Sequence, residues 1–294
     1  MQTIKISSKD LPGLYQSADQ ASLDGQEQYF RGLKWYLLLL IVAAFIPYFL
    51  PNQVLGAIFS ASLFLLTLGI LVLIRIRRPE DTWYKGRAIA ESVKTRAWRW
   101  MMKAEPYNDY ENIENESKLF IKDLNAILAQ HGLKSNCLSS VKVVEEPISV
   151  LMKQVRGLSV KERLDVYLQQ RVQNQIEWYW KKSQLNKRLA ERWFWVSVAL
   201  HSICIFMLLY GINKTCVSLP VGGFATAAGA TLTWLQAKKH RELDAAYTLA
   251  AHEIALIKGE GDFIRSEKQL SDYVMNSEAA FSREHTQWVA RKSG

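Results

Sequence analysis

Two long stretches of the chain contain almost no charged residues. No Asp, Glu, Lys or Arg occurs between Trp35 and Ile74, and Lys214 is the only one between Trp193 and Ala237. An apolar helix of about 20 residues is long enough to cross the hydrocarbon core of a bilayer, and soluble cores do not require such runs. The pattern therefore predicts an integral membrane protein.

Each apolar stretch is divided by a short polar turn. Pro51-Asn52-Gln53 interrupts the first stretch and Asn213-Lys214-Thr215-Cys216 interrupts the second. Proline and small polar residues favour turns, so each stretch is expected to form a hairpin of two helices. We predict four membrane spans, at residues 35–50, 54–74, 193–212 and 217–235.

The remaining parts of the chain also have helical patterns. Ser159 and Glu162 have the spacing of a capping box, and neither Pro nor Gly follows until Gly211. At 1.5 Å per residue, this segment could form one helix of roughly 75 Å that continues through the third span. No segment alternates convincingly between apolar and polar residues. The predicted fold is all-α, with two transmembrane hairpins and long cytoplasmic helices.

The charges determine the expected orientation. The chain has 37 Lys and Arg against 28 Asp and Glu, a net charge of +9. Basic residues flank the outer ends of the hairpins, whereas the turns are almost uncharged, which by the positive-inside rule places both termini and the middle segment in the cytoplasm. This distribution explains the charge without a nucleic-acid partner. The residues predicted at the membrane interface after the second and fourth spans are Arg75, Arg77, Arg78, Lys238, Lys239 and Arg241.

The two hairpins are followed by similar segments. When these segments are aligned, Asp81 matches Asp244, Tyr84 matches Tyr247, and Ala88 matches Ala251, each behind a basic patch. The same order of hairpin, basic patch and helix in both halves indicates a tandem duplication. We predict one copy at residues 1–140 and the second at residues 141–294.

The fourth predicted span, which contains VGGFATAAGATLTW, has unusually small side chains. It lacks both the GxxxxGK[ST] and the GxGxxG pattern, so a phosphate-binding loop is not expected. At about 100° per residue, the small residues fall on one face and the bulky ones on the other. Such a face either packs closely against another helix or lines a water-filled path. The candidates are Ser218, Gly222, Ala225, Thr226, Gly229 and Thr233.

Few other residues suggest chemistry. His201 lies inside the third span, where it could serve a function or simply hydrogen-bond to a neighbouring helix. The three cysteines, Cys137, Cys204 and Cys216, lack metal-binding spacing, and neither HExxH nor GxSxG is present. We therefore expect no enzyme activity, no catalytic residue, no metal and no cofactor.

Three segments resemble a known family. TWLQAKKHRELDAAYTLAAHEIALI and SEAAFSREHTQWVARK are similar to the SLATT family, the SMODS- and SLOG-associating two-transmembrane effectors of bacteria. WYKGRAIAESVKTRAWRW resembles another subtype of that family. The chain as a whole is similar to two such domains in tandem. The copies also differ, since Trp83 in the first aligns with Ala246 in the second and Pro79 interrupts only the first.

The resemblance implies a membrane effector of a prokaryotic antiviral or conflict system that forms a pore in the inner membrane. It also implies a cytoplasmic sensor protein or nucleotide signal as the trigger. With the four predicted spans, this gives a homo-oligomeric, multi-pass protein in contact with the lipid bilayer. The alternative is a membrane-anchored scaffold or signalling adaptor that assembles partners through its cytoplasmic helices without conducting ions.

Overall fold

The computed structural model describes residues 4–50, 52–109, 112–131, 146–212 and 219–293. These residues are predominantly helical and contain no strand, which confirms the predicted fold class. The ten α-helices of the described residues are α1 (Gly13–Phe49), α2 (Gln53–Arg77), α3 (Pro79–Met101), α4 (Ile113–His131), α5 (Val150–Arg156), α6 (Val160–Tyr167), α7 (Asn174–Gly211), α8 (Val221–Lys238), α9 (His240–Glu260) and α10 (Glu267–Ser293).

The chain divides into two compact units, and each unit combines segments from both halves of the sequence. Unit 1 contains residues 1–26, 80–181 and 246–294, and unit 2 contains residues 27–79 and 182–245. The spatial division therefore cuts across the tandem repeat. The predicted boundary between the copies, near residue 140, lies outside the described residues and stays a prediction.

Unit 1 has a core built largely around helix α3. Ile89, Val93 and Trp100 of this helix are fully buried, and the Trp100 ring lies 6.1 Å from the ring of Phe120 in α4. On another side of α3, Gly86 lies against the backbone of α1. The buried apolar face of α3 is wide enough to contact both α1 and α4, which explains the central place of α3 in this unit.

A buried arginine stabilises the end of α3. Arg156 of α5 donates to the carbonyl oxygens of Tyr107, at 3.0 Å, and of Trp100. Its guanidinium also lies 4.9 Å from the centre of the Trp100 ring. These contacts pair backbone acceptors that would otherwise be buried without a donor after the helix ends.

Unit 2 contains the apolar stretches. Helices α1, α2 and the combined helical segment Val160–Gly211 each include a part long and apolar enough to cross a membrane. They coincide with the first three predicted spans and support a membrane protein. Helix α8, with 18 residues, is not among these three, and the fourth span stays a prediction. Its Gly, Ala and Thr residues contribute much less to membrane insertion than the Leu, Ile and Phe residues of α2.

The long helix predicted from Ser159 is present, with one irregularity. The Ser159 and Glu162 side chains form the expected capping box at the start of α6. The chain is then helical through Gly211, but residues Leu168–Gln173 adopt π-helical geometry between α6 and α7. We refer to these six residues as the π segment. Nothing in the local sequence predicted it.

Candidate functional site on helix α8

One face of α8 packs inside unit 2. A Cβ atom added to Gly223 would lie 2.6 Å from the Phe45 ring of α1, and the adjacent Phe224 ring makes an edge contact with Phe45 at 5.2 Å. Ala228 and Thr231 are also buried on α8. The lack of a side chain at Gly223 therefore allows α1 and α8 to approach closely, as small residues do in membrane helix pairs.

Aromatic side chains hold the last turns of α8. The Trp234 ring lies 5.9 Å from the ring of Phe30 in α1 and 6.2 Å from the ring of Trp193 in α7. The Lys238 ammonium lies 3.3 Å from the centre of the Phe30 ring. Edge-on and tilted aromatic rings, with a cation over one of them, join three helices of unit 2 at this end.

The predicted small-residue face lies on the other side of α8 and is uncovered. Gly222, Ala225, Gly229 and Thr233 are exposed, and Thr226 is partly exposed. A Cβ atom added to Gly222 or Gly229 would meet no described atom within 4 Å. Four of the candidates thus share one open face, with Thr226 beside it, whereas Ser218 lies outside the described residues. Close packing of this face, if it occurs, requires a partner other than the described part of the chain.

The hydroxyl groups on this side are satisfied within the helix. Thr226 donates to the carbonyl oxygen of Gly222 at 2.8 Å, and Thr233 donates to that of Gly229 at 3.0 Å. Such back-bonding leaves the hydroxyl oxygen free to accept a further hydrogen bond. The open face of α8 can therefore meet a neighbouring helix, lipid or water without an unpaired donor.

His201 is not part of this face. It is exposed on α7, and its Nδ1 lies 2.7 Å from the carbonyl oxygen of Ser197, one turn earlier in the same helix. This contact satisfies a ring nitrogen within α7. That nitrogen therefore needs no hydrogen bond to a neighbouring helix, which was the alternative left open by the sequence.

The basic residues that cap the C-terminal ends of α2 and α8 occupy matching positions. Arg78 and Lys239 both adopt left-handed backbone conformations, with φ of 47° and 51°. Each donates its N–H to the carbonyl four residues earlier, Ile74 or Leu235, at 2.9 Å. This cap ends α2 and α8, and the next helix starts immediately. The other predicted basic residues lie nearby in sequence: Arg75 and Arg77 in α2, Lys238 in α8 and Arg241 in α9.

A buried polar cluster follows α8, and the sequence analysis missed it. The Nδ1 of His240, the first residue of α9, lies 2.7 Å from the side-chain oxygen of Asn186 in α7. One turn away on both helices, Ser183 donates to the Asp244 carboxylate at 2.7 Å. The Asn186 amide donates in turn to the carbonyl oxygen of Lys182 at 2.8 Å, which fixes its orientation. The Asn186 oxygen therefore accepts a hydrogen bond from the Nδ1–H of His240.

Burial of His240 predicts a dependence of stability on pH. Burial, and to a lesser extent the charge of Lys238, lower the pKa of His240. The unfolded chain, with an ordinary pKa of about 6.5, then binds this proton more readily than the folded chain. We expect the contribution of His240 to thermal stability in detergent to be constant above about pH 6.5. As the pH drops below this value, stability should fall.

The matched variants isolate the contribution of His240. His240→Gln keeps a donor for Asn186 but cannot be protonated, so its stability should decline less than that of the wild type between pH 7.5 and 5.5. His252→Gln alters an exposed histidine of the same helix and should retain the wild-type decline. Identical pH profiles for all three proteins would contradict the assignment to His240.

Metal ligands do not cluster in the described part of the chain. No group of three or more His, Cys, Asp or Glu side chains that could hold a metal ion occurs among its residues. Cys204 is a free thiol, and the other two cysteines lie outside the described ranges. The candidate functional site in the described residues is therefore the open face of α8.

These features define a helical membrane protein. The model for SMODS and SLOG-associating 2TM effector domain 3 matches residues 12–164, and that for SMODS and SLOG-associating 2TM effector domain 1 matches residues 167–288. The first match alone covers 153 of the 294 residues. The chain therefore belongs to the SLATT family and carries two SLATT domains in tandem, which confirms the resemblance. No curated protein and no solved structure matches the chain.

Proposed function

We propose that this tandem SLATT protein is a homo-oligomeric, pore-forming effector of a prokaryotic antiviral defence system. It acts in the inner membrane, crosses it four times and keeps both termini in the cytoplasm. The family description supports an effector role in association with SMODS and SLOG proteins. Conduction follows from the assembly of copies, without an enzymatic reaction or a cofactor. The trigger is a cytoplasmic sensor protein or a nucleotide signal.

The observation that carries the proposal is the asymmetry of α8. Its packed face fits against Phe45, whereas its open face meets no described atom within 4 Å at Gly222 or Gly229. In a bilayer, a flat face of glycine, alanine and threonine gains little from lipid contact compared with leucine or isoleucine. It gains more from a second helix or from water, and an oligomer of this chain supplies both.

The pore proposal predicts that enlarging the open face alters conduction without unfolding the chain. We expect vesicles containing purified wild-type protein to leak ions when the channel is active. Gly229→Leu and Thr226→Leu should change this leakage by about tenfold or more, because each fills space at the lumen or between copies. The measurement is dye or ion efflux at matched protein density, with and without nucleotide second messengers.

Gly69→Leu provides the matched control. A Cβ atom at Gly69 of α2 also meets nothing within 4 Å, so the same substitution adds the same bulk to an open position on another helix. This variant should leak like the wild type. Equal effects of Gly69→Leu and Gly229→Leu would show that bulk, not the α8 face, matters. A stable oligomer that never leaks would instead favour the non-conducting scaffold.

A further inference from the structure

Three large apolar side chains lie in a row on the outer side of α9. Leu249 and Leu256 belong to this helix, and Phe263 ends the 3₁₀ turn that follows it directly. They are 59%, 76% and 78% exposed in the described part of the chain. A repeat of seven residues keeps side chains close to one line along a helix, as in the seam of a coiled coil. We refer to these three residues as the α9 stripe.

The other side of α9 packs within unit 1. Ala250 and Ile254 are buried there, and the Tyr273 hydroxyl of α10 donates to the carbonyl oxygen of Ile257 at 3.0 Å. The contacts of α9 with its own unit therefore hold the helix in place without using the stripe. A helix with apolar side chains on two separate sides has a second surface to bury.

The tandem repeat shows what this surface does in the first copy. In the alignment of the two copies, the three stripe residues match Gly86, Val93 and Trp100 of α3. Val93 and Trp100 are fully buried, and Gly86 lies against the backbone of α1. Phe120 of α4, the helix that follows α3, lies against Trp100. The first copy thus uses this face for contacts with other helices.

The helix that follows α9 makes its buried contacts elsewhere. Glu278 of α10 accepts hydrogen bonds from Thr95 of α3 at 2.9 Å and from Arg171 of the π segment at 2.8 and 2.7 Å. The carbonyl oxygen of Met275 accepts from Arg99 of α3 at 3.4 Å. Helix α10 therefore completes the surroundings of α3, and the α9 stripe has no cover within the described residues.

The size of the stripe favours a partner held in the same membrane. At on the order of 200 Å² for a fully exposed large side chain, the three exposed fractions amount to roughly 400 Å² of apolar surface. This is about half of the 800 Å² that one partner of a standard complex buries. A soluble partner loses all its translational and rotational freedom on binding, whereas two chains in one bilayer have already lost much of theirs. A second copy therefore needs less contact surface.

The charges beside the stripe favour a parallel pair of α9 helices. In a parallel pair, Glu253 and Glu260 of one copy face Thr248 and Ala255 of the other, which carry no charge. In an antiparallel pair, Glu253 faces the same carboxylate of the second copy, and like charges repel. The sequence beside the stripe thus permits self-pairing in one direction and opposes it in the other.

We infer that the α9 stripe is the contact between two copies of this chain, related by a two-fold axis that runs along α9. Leu249, Leu256 and Phe263 each meet the same residue of the second copy. Gly259 lies beside the stripe, and a Cβ atom added there would meet no described atom within 4 Å, so this position lets the two helices approach closely. The inference rests on the homo-oligomer of the proposed function and specifies its contact surface.

Self cross-linking of single cysteines measures this contact. The full-length protein, with its own cysteines replaced, carries one new cysteine and is reconstituted alone in vesicles, where it is treated with a short bifunctional thiol reagent. We expect Leu249→Cys, Leu256→Cys and Phe263→Cys each to give a covalent dimer, because every stripe position meets itself in a parallel pair. Cross-linking at Leu256 alone indicates an antiparallel pair and overturns the inference.

Val150→Cys is the matched control. Val150 of α5 is an apolar residue of the same unit that is 68% exposed, but it does not lie on α9. It should give at least about tenfold less dimer than Leu256→Cys, because only chance collisions bring two copies of it together. Equal yields overturn the inference. So does a monomeric Leu256→Cys, which is the result if a cytoplasmic sensor or another part of the same chain covers the stripe.

The native mass of the assembly is a second measurement. Wild-type protein in mild detergent should contain an even number of copies, and Leu256→Glu should halve that number by placing two carboxylates in the contact. Val150→Glu should keep the wild-type mass. Both substitutions change exposed residues, so both variants should unfold near the wild-type temperature. An odd number of copies, or a wild-type mass for Leu256→Glu, overturns the inference.

The α9 contact and the pore can fail separately. A protein that cross-links through the stripe but never leaks ions refutes the pore and leaves the contact standing. A protein that leaks ions while Leu256→Cys stays monomeric refutes the contact and leaves the pore standing.

Discussion

Arg171→Ala is expected to lower the free energy of unfolding by about 3–5 kcal/mol. The substitution leaves the Glu278 carboxylate in a site that is fully buried, with only the neutral hydroxyls of Tyr167 and Thr95 as donors. An uncompensated buried charge is among the most destabilising single changes known in proteins. Thermal or denaturant unfolding of the full chain in detergent measures the effect.

Two comparisons test whether burial of the charge causes the expected loss of stability. Lys118→Ala breaks an ion pair with Glu114 whose side chains are 69% and 76% exposed, and it should change stability little. Replacing Arg171 and Glu278 together by methionine should cost less than Arg171→Ala, since no charge is left unpaired. A loss from Arg171→Ala no larger than that from Lys118→Ala would contradict the burial of this pair.

Gly86→Ala is expected to destabilise unit 1 by about 1–3 kcal/mol. The added Cβ would lie 2.8 Å from the carbonyl oxygen of Ala18 and 2.9 Å from the backbone nitrogen of Ser22. Both atoms belong to the backbone of α1, so the clash cannot be relieved by a side-chain rotation. Helices α1 and α3 must move apart, and the buried contacts between them are lost.

Gly69→Ala is the control for this substitution. It changes the same residue type in the interior of a helix, but its Cβ meets nothing within 4 Å. Its stability should be unchanged or slightly raised, since alanine restricts the unfolded chain. Equal stability of the two alanine variants would contradict the close approach of α1 and α3 at Gly86.

Local features of the sequence predicted the helices and one of their ends. The apolar runs between Trp35 and Ile74 and after Trp193 indicated the membrane helices, because insertion into lipid depends mainly on the length and composition of a local segment. The Ser159–Glu162 capping box also forms as its spacing predicted. The tandem repeat was visible because hairpin, basic patch and helix recur in the same order.

The start of α1 was not predicted. The helix begins at Gly13, some twenty residues before the first apolar run. Its early residues include Ala18 and Ala21, which are buried in unit 1. Their pattern is too polar and too short to distinguish a helix from a loop without knowledge of α3, against which they pack.

The small face of α8 shows both the strength and the limit of a helical wheel. Gly222, Ala225, Gly229 and Thr233, which the wheel places on one face, are all exposed, because the angular spacing of residues in a helix is fixed. It could not tell which face packs in the chain. The structure places Gly223 against Phe45, about 180 residues earlier, and leaves the grouped face open.

The sequence by itself determined the all-α class, the apolar segments and the duplication, since helix period, capping and membrane transfer act over a few residues. Only the tertiary structure decided that Arg171 meets Glu278, that a π segment forms, that Gly86 is a contact between helices and that each unit combines both halves of the chain. These features depend on partners far apart in sequence, whose approach is set by packing rather than by local preference.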